Sequence, residues 1–279
     1  MSIASPDLFW KAFRVYLGFA PNITAAGGIG FGDLTNLGNG SIAFVGSFLL
    51  PRKTSSEATV FLDPFFGALR SLGIDIATPA ISTLPYAQPA YRGSEDSGPN
   101  NKVFSSRLFP RVNWNNATLF DLTVAAIRRT VQEGGLNFRC RNFNPSLAAG
   151  GYLATHSGAN PAFRDSLMHS SVFEPELADR DTTTAGQFLG RYTNLKRHMD
   201  ELRALTPGSG AYINEAEVTE PNWQQSFFGD QYNRLLSIKR AVDPWDLFWA
   251  PTTVGSENWQ VETMDKLPTQ NGPLCKVEA

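Results

Sequence analysis

The stretch LNFRCRNF, which begins at Leu136, alternates between apolar and charged side chains. In an extended chain Leu136, Phe138 and Cys140 share one face, and Arg139 and Arg141 share the other. Such an alternation is typical of a β-strand that packs one face on a core and leaves the other face wet. Any fold of this chain must therefore contain a sheet that is covered on one side only.

Four segments predict helices that can cover such a sheet. Residues 7–19 carry apolar side chains at helical spacing. Thr54 and Glu57 have the spacing of a capping box and open an amphipathic segment. Two more helices are predicted in TLFDLTVAAIRRTVQEGG, which ends at a glycine pair, and in FLGRYTNLKRHMDELRAL.

Further strands are predicted at residues 41–50, at residues 166–173 and in the short segment GAYINEA. The glycine-rich stretch AAGGIGFGDLTNLGNG predicts turns rather than a phosphate-binding loop, because no strand leads directly into it and no helix follows. Residues 83–117 are rich in Pro, Gly, Asn and Ser and predict a long loop. The order of elements predicts an α+β fold with a mostly antiparallel sheet, helices packed on one face and a C-terminal helical appendage.

We expect two parts, an α+β domain over residues 1–221 and a C-terminal segment over residues 222–279 that packs on it. The last helix is expected to carry one continuous apolar stripe, followed by an aromatic-rich tail. An uncovered apolar surface of that size promotes aggregation, so we expect it to fold onto the sheet and to form a homodimer, with a pocket left between sheet and helices. The stripe and tail consist of Phe228, Tyr232, Leu235, Ile238, Val242, Trp245, Phe248, Trp249 and Trp259.

Charge and cysteine content exclude several classes of function. A formal net charge of -2 gives no basic patch for a nucleic-acid partner. The two cysteines and three histidines lack the spacing of a zinc site, so no metal is expected. The sequence leaves open whether Cys140 and Cys275 pair. The N-terminus lacks the pattern of a signal peptide and no stretch is apolar enough to span a membrane, which predicts a cytoplasmic protein with no membrane partner.

The C-terminal residues carry a family resemblance. FFGDQYNRLLSIKRAVDPWDLFW, followed by VGSENW and GPLCKV, resembles the C-terminal signature of fungal berberine-bridge-enzyme-like oxidases, which are FAD-linked oxidases of the vanillyl-alcohol-oxidase type. GSGAYINEAEVTEPNWQQ and GANPAFRDSLMHSS resemble the substrate domain of the same family. The resemblance implies a substrate domain and C-terminal segment without the flavin-binding lobe, so no FAD is expected. Gln231 also stands where the family usually has a flavin-contacting Asn.

Three candidate catalytic residues follow from the resemblance and from the predicted strand. Alternation in AYINEA places Tyr212 and Asn214 on one face and Glu215 on the other. Many flavin relatives have a catalytic base at the position of Glu215, and burial beside an apolar pocket would raise the pKa of this carboxyl; the alternative is a solvated residue at a strand end. Tyr212 and Asn214 are candidates for hydrogen bonding to a substrate carbonyl, and packing at the edge of the core is the alternative.

His169 is a fourth catalytic candidate, with a satisfied core histidine as the alternative interpretation. Arg164 is a candidate substrate-binding residue, with a surface ion pair to Asp165 as the alternative. The aromatic C-terminal segment adds three further candidate substrate-binding residues, Phe228, Tyr232 and Trp249.

These expectations lead to a functional hypothesis in which the flavin is dispensable. The chain is expected to be a cofactor-independent cyclase of fungal secondary metabolism that binds a small, apolar, polyunsaturated natural product. It would promote a pericyclic (Diels–Alder type) or acid–base cyclisation by confining and polarising that substrate. The alternatives are the substrate-domain half of a split or truncated FAD-linked oxidoreductase and a non-catalytic carrier of an apolar metabolite.

Overall fold

The structure is a computed structural model that describes residues 5–38, 40–74, 76, 81–83, 104–151, 153, 157–174, 184–215, 217–263, 268–269 and 272–277. The helices are α1 (Pro6–Gly18), α2 (Ala20–Ala25), α3 (Ser55–Ser71), α4 (Val112–Asn115), α5 (Ala117–Gln132), α6 (Leu147–Gly150), α7 (Ala185–Ala204), α8 (Trp223–Phe228) and α9 (Tyr232–Val242). The strands are β1 (Ile29–Gly38), β2 (Ser41–Leu49), β3 (Phe104–Pro110), β4 (Asn137–Asn142), β5 (Ser166–Phe173), β6 (Trp259–Val261) and β7 (Leu274–Lys276). Short 3₁₀ turns lie at Pro161–Asp165, Ile213–Glu215, Gly229–Gln231 and Ser256–Asn258.

Five strands form the central antiparallel sheet in the order β2-β1-β4-β5-β3. Leu34, Phe138 and Val172 are direct neighbours across β1, β4 and β5 and point to the covered face. Arg141 in β4 pairs with His169 in β5. It lies three residues after Phe138, an odd number, so its side chain points to the opposite face of the sheet. The predicted α+β fold is confirmed, and the arginines of β4 are partly accessible on this face as predicted, whereas β5 is buried on both faces except at Phe173.

Helices α1, α3, α5 and α7 cover a single face of this sheet. Their apolar sides merge with the inward side chains of the strands into one core. The helical segments predicted around residues 7–19, 54–71, 117–132 and 185–204 are all confirmed, and Thr54 forms the predicted capping box with Glu57. The largest fully buried members of the core include Phe13, Leu17, Leu34, Phe109, Ile127, Phe138, Met168 and Leu195.

The glycine-rich stretch forms a strand rather than the predicted turns, because its glycines permit close packing. A Cβ atom on Gly32 would lie 2.7 Å from Sγ of Cys140 and 2.9 Å from the ring of Tyr16. One on Gly28 would lie 2.8 Å from the carbonyl oxygen of Leu49. The alternating glycines of β1 therefore make room for the tyrosine of α1 on the covered face.

Two other sequence predictions are wrong. The long loop expected over residues 83–117 contains β3, α4 and the start of α5, although residues 84–103 lie outside the described part of the chain. The strand expected in GAYINEA is absent from its described residues. Gly210 accepts a backbone hydrogen bond from Leu108 at the edge of β3, but the amide of Tyr212 then donates to the Ser106 hydroxyl, and the amide of Glu215 closes a 3₁₀ turn onto Tyr212.

The C-terminal segment packs around a small second cluster that includes Ala211, Phe227 and Phe228. The side chain of Asn160 links this segment to the rest of the chain. Its Nδ2 donates a hydrogen bond of 2.6 Å to the carbonyl oxygen of Ser226. The predicted single stripe is wrong, because Gly229, at φ 56°, separates α8 from a 3₁₀ turn and α9.

The tail does not fold onto the sheet as expected. The exposed fraction is 86% for Trp245 and 80% for Phe248. Cys140 and Cys275 are both free, which answers the question of their pairing. Within the described ranges, no helix combines the length and apolar character that crossing a bilayer requires, and no cluster of potential metal ligands is found.

Candidate functional site

The face of the sheet opposite the helices carries a row of charged side chains, which we call the open face. Asp33 in β1 accepts a hydrogen bond of 2.8 Å from Nε of Arg139 in β4. Nη2 of Arg141 lies 3.4 Å from the same carboxylate oxygen. One acid therefore serves two arginines, and the set of three carries a net positive charge on the open face.

Aromatic rings hold both arginines in place. The guanidinium of Arg141 lies 5.3 Å from the centroid of the Phe31 ring, and that of Arg139 lies 5.4 Å from the centroid of Phe173. Each guanidinium thus has a carboxylate and a ring face as neighbours, which restricts its rotamers and leaves part of it accessible. This part of the open face is a fixed, positively charged wall.

Beside the arginines, His169 and Ser171 of β5 meet Glu215 from the 3₁₀ turn. Oε2 of Glu215 lies 3.5 Å from Nε2 of His169 and accepts a short hydrogen bond from the Ser171 hydroxyl. The His169 ring is buried, whereas about a third of the Glu215 side chain is exposed (34%). Of the two alternatives for Glu215, the structure therefore favours a partly solvated side chain over enclosure in an apolar pocket.

Tyr212 completes this group, which we call the His–Tyr–Glu cluster (His169, Tyr212 and Glu215). Its ring packs edge-to-face against His169 at 5.6 Å and against Phe163 at 5.7 Å. Its hydroxyl accepts a hydrogen bond of 2.8 Å from Nδ2 of Asn214. Because Asn214 uses a lone pair of the phenol oxygen, the hydroxyl proton remains available to a substrate oxygen.

Burial lowers the pKa of His169, and the nearby Arg141 acts in the same direction, while Glu215 opposes both. The imidazole is consequently neutral at pH 7. A neutral imidazole, a carboxylate and a phenol at one spot can accept a proton from a substrate hydroxyl and donate a hydrogen bond to a substrate carbonyl.

The four predicted catalytic residues, His169, Tyr212, Asn214 and Glu215, are brought together by the structure, and their catalytic roles stay predictions. The predicted opposition of Tyr212 and Glu215 on two faces of a strand is wrong, because the 3₁₀ turn brings both side chains to His169.

The four predicted substrate-binding residues lie in different surroundings. Arg164 lies in the turn before β5, and its Nη1 donates a hydrogen bond of 2.7 Å to the carbonyl oxygen of Pro145. Phe228 is buried in the C-terminal cluster, where Tyr232 packs on it at 5.8 Å. Trp249 lines an open groove on the C-terminal segment.

The sequence alone does not identify Asp33, Arg139 and Arg141 as site residues. The alternation in LNFRCRNF places both arginines on the wet face, which is a usable signal. Asp33 gives none, because the glycine-rich stretch around it predicts turns. A strand rich in glycine has too few apolar side chains to show the two-residue period.

The described residues do not fit a complete flavin site. A flavin diphosphate needs backbone N–H groups at a glycine turn or helix N-terminus. Gly32 of β1 is instead closed off by Tyr16 and Cys140, Gly28 before the strand lies against the carbonyl oxygen of Leu49, and the open-face arginines are engaged by Asp33. The open face can provide a wall for a ring system and a substrate, but its described residues do not cradle a diphosphate.

The fold of this chain and the sequence of its C-terminal part are both similar to those of known proteins. The described fold is similar to about half of the crystal structure of the VAO-type flavoprotein MtVAO615 from Myceliophthora thermophila C1, with a TM-score of 0.79 at 24% identity over 99% of this chain and 48% of that one. The family model "Berberine and berberine like" matches residues 211–255. The resemblance to berberine-bridge-enzyme-like FAD-linked oxidases is thereby confirmed.

Curated relatives show the same resemblance. The chain is 30% identical to the FAD-linked oxidoreductase patO of Aspergillus clavatus, over 97% of this chain and 45% of the relative. It is 28% identical to the bifunctional decalin synthase calF of Penicillium decumbens, over 96% of this chain and 45% of the relative. The chain thus spans about half the length of the relatives it matches.

Proposed function

We propose that the chain forms the substrate-side half of an enzyme of the FAD-linked oxidoreductase type. The open face is then the wall against which a small, apolar natural product lies. The observation that carries this proposal is the convergence of His169, Tyr212 and Glu215 on the one sheet face that the helices leave uncovered.

Each member of the His–Tyr–Glu cluster has a distinct role in this proposal. Tyr212 donates its hydroxyl proton in a hydrogen bond to a substrate oxygen, since Asn214 already donates to its lone pair. Glu215 accepts a proton from the substrate, and the hydroxyl of Ser171 fixes its orientation. His169 is neutral and packs beside both, so it orients the phenol and the carboxylate without adding a competing positive charge.

The open face forms one wall of a site, and enclosure of the substrate requires a second wall. Excluding water strengthens the hydrogen bonds and charges that act on a substrate, so a covered face would be far more effective than an exposed one. The relatives are about twice as long as this chain. We propose that a segment corresponding to their other half supplies the second wall and the flavin.

A fusion protein tests this proposal. The half of the Aspergillus clavatus relative that this chain does not match would be joined to the chain in the relative's own order. We expect the fusion to retain FAD through purification, seen as visible flavin absorbance, and the chain alone to lose it. A chain that retains stoichiometric FAD by itself would contradict the proposal.

Turnover by the FAD-loaded fusion then tests the residue roles. Oxygen consumption would be screened with a panel of apolar alcohols and polyenes. For a substrate that is oxidised, we expect Tyr212→Phe and Glu215→Gln to lower kcat by about 100-fold, in the range of general acid–base catalysis, with little change in KM. Asp63→Asn, the same carboxylate-to-amide change on the helical side, should have no effect. Unchanged kcat in both site variants would remove them as catalysts.

A second candidate function, a cofactor-independent cyclase, is favoured by the relative named bifunctional decalin synthase. In this proposal Tyr212 polarises a carbonyl of a polyunsaturated substrate, which lowers the barrier by about 1–3 kcal/mol, and binding holds the reacting ends together. The chain alone, without flavin, should then convert a linear polyene to a cyclic product. Conversion only by the FAD-loaded fusion would reject this candidate and support the first.

A further inference from the structure

A groove lies largely on the C-terminal segment, and its lining includes no residue of the His–Tyr–Glu cluster. It is an open groove of about 770 Å³, which we call the tryptophan groove. Three of the six tryptophans of the chain line it, namely Trp223, Trp249 and Trp259. Two acids, Glu257 and Glu262, lie in its walls, and its described lining contains neither Lys nor Arg.

The indole N–H groups of two of these tryptophans are already used within the protein. Nε1 of Trp249 donates 3.2 Å to the carbonyl oxygen of Ser256. Nε1 of Trp259 donates 3.0 Å to the carboxylate of Asp246. With their donors occupied and their rings anchored, the two indoles offer apolar and quadrupolar ring surface to a ligand rather than hydrogen bonds.

The charged side chains of the described lining are both acidic. The hydroxyl of Tyr232 donates to both oxygens of Glu257 at 2.6 and 2.7 Å, which orients this carboxylate. Glu262 is exposed and also lines the groove. The nearby Lys239 is paired with Asp243 and lies 3.9 Å from Asp246, while Arg240 acts electrostatically on the Tyr232 hydroxyl without lining the groove.

We propose that the tryptophan groove binds a small organic cation, a quaternary or protonated amine. The face of an indole attracts a cation within about 6 Å of the ring, and a carboxylate nearby adds to this attraction. A quaternary ammonium leaves no N–H donor unpaired in the groove and the N–H groups of a protonated amine can pair with the two acids, whereas a neutral polyol would need the indole donors that the protein has already engaged. Aromatic surface together with two acids therefore selects for positive charge.

Choline is the probe for this proposal, and the neutral alcohol in which carbon replaces its nitrogen is the shape control. Binding would be followed by isothermal titration calorimetry on the whole chain. We expect saturable binding of choline and at least tenfold weaker binding of the neutral alcohol, because cation–π attraction and ion pairing both require the charge.

Three variants locate the site. Trp249→Ala and Glu257→Gln should each weaken choline binding by about fivefold or more, within the range of a single cation–π or charged contact. Trp245→Ala is the matched control, because this indole is 86% exposed and does not line the groove. It should bind choline like the parent chain. Circular dichroism would confirm folding, and Trp249→Phe, which keeps a ring, would replace an unfolded Trp249→Ala.

The proposal is overturned if choline does not bind, or if its neutral analogue binds equally well. It is also overturned if choline binds and none of the groove variants weakens the binding, since the cation would then lie elsewhere. Failure of the FAD fusion would leave this proposal intact, because no residue of the His–Tyr–Glu cluster takes part in it.

Discussion

Gly32 shows how a single residue decides the course of a strand. It lies where Tyr16 and Cys140 approach β1 so closely that a Cβ atom would meet both. We expect Gly32→Ala to lower the free energy of unfolding by about 1–3 kcal/mol, because the neighbouring side chains must shift. Urea denaturation measures this change.

Gly67→Ala is the control for the preceding prediction. Gly67 lies inside α3, where the added methyl group would meet nothing nearer than a guanidinium nitrogen of Arg70 at 3.7 Å. Replacing glycine by alanine there should raise stability by about 0.5–1 kcal/mol. Equal effects at the two positions would contradict the packing role assigned to Gly32.

His169 gives the open face a pH dependence. Its folded-state pKa is lowered by burial, so below about pH 6.5 the unfolded chain binds a proton that the folded chain does not. Its contribution to stability is therefore fully present above that pH and declines as the pH falls. Between about pH 7 and pH 5, His169→Gln should lose less stability than the parent chain.

The measurement is urea denaturation at several pH values across that window. The pKa of His198 is also lowered, again chiefly by burial, so His198→Gln serves as the comparison. In each variant the free energy of unfolding should decline less with falling pH than in the parent chain, by the amount that the replaced histidine contributes. Parallel pH profiles for His169→Gln and the parent chain would show that His169 is not held neutral by the fold.

At the scale of elements, the capping box of α3 is visible in the sequence and is formed in the structure. The hydroxyl of Thr54 accepts from the amide of Glu57, and the Glu57 carboxylate accepts from the amide of Thr54. Thr54→Ala should lower the free energy of unfolding by about 1 kcal/mol. Thr59→Ala, an exposed change within the same helix, should leave stability unchanged or slightly raised, and a thermal or urea unfolding series would separate the two.

The helices were predictable because their signals are local. Capping residues and a period near four residues are visible in a short window, and they survive in the structure. The alternation of apolar and charged side chains in β4 is equally visible. These elements determine the central strand of the sheet and the helical layer packed on it, which together make up most of the fold.

The elements that the sequence predicts wrongly depend on contacts between residues that are far apart in the sequence. β3 carries buried Ser105, Ser106 and Arg107 instead of an apolar alternation, and the guanidinium of Arg107 is satisfied by Thr206 from the end of α7. The segment around Tyr212 leaves strand geometry because its amide bonds to the Ser106 side chain. The positions of Tyr212 and Glu215 at His169 follow from that contact and could not be inferred from their spacing.

At the scale of the whole molecule, the tail after α9 presents an apolar surface. The Asp243 carboxylate accepts from the amides of Leu247 and Phe248, which holds the tail with Trp245, Leu247 and Phe248 pointing outward. Exposed patches of this kind drive association. We expect the chain to self-associate, and the double change Trp245→Ser with Phe248→Ser to shift it toward monomer in analytical ultracentrifugation.

The control for this prediction is Val60→Ser, which removes an isolated exposed side chain of α3 that is 72% exposed. It should leave the sedimentation profile unchanged. A parent chain that stays monomeric at high concentration would contradict the predicted association. The homodimer expected from the sequence remains a prediction until this experiment is done.

We propose that the open face is covered in the working enzyme. The labelling rate of Arg139→Cys by a maleimide, in a Cys275→Ser background, tests this for the chain alone and for the FAD-loaded fusion. We expect slow labelling at position 139 in the fusion and unchanged labelling of a Val60→Cys control on the helical side. Equal labelling of position 139 in both proteins would contradict it.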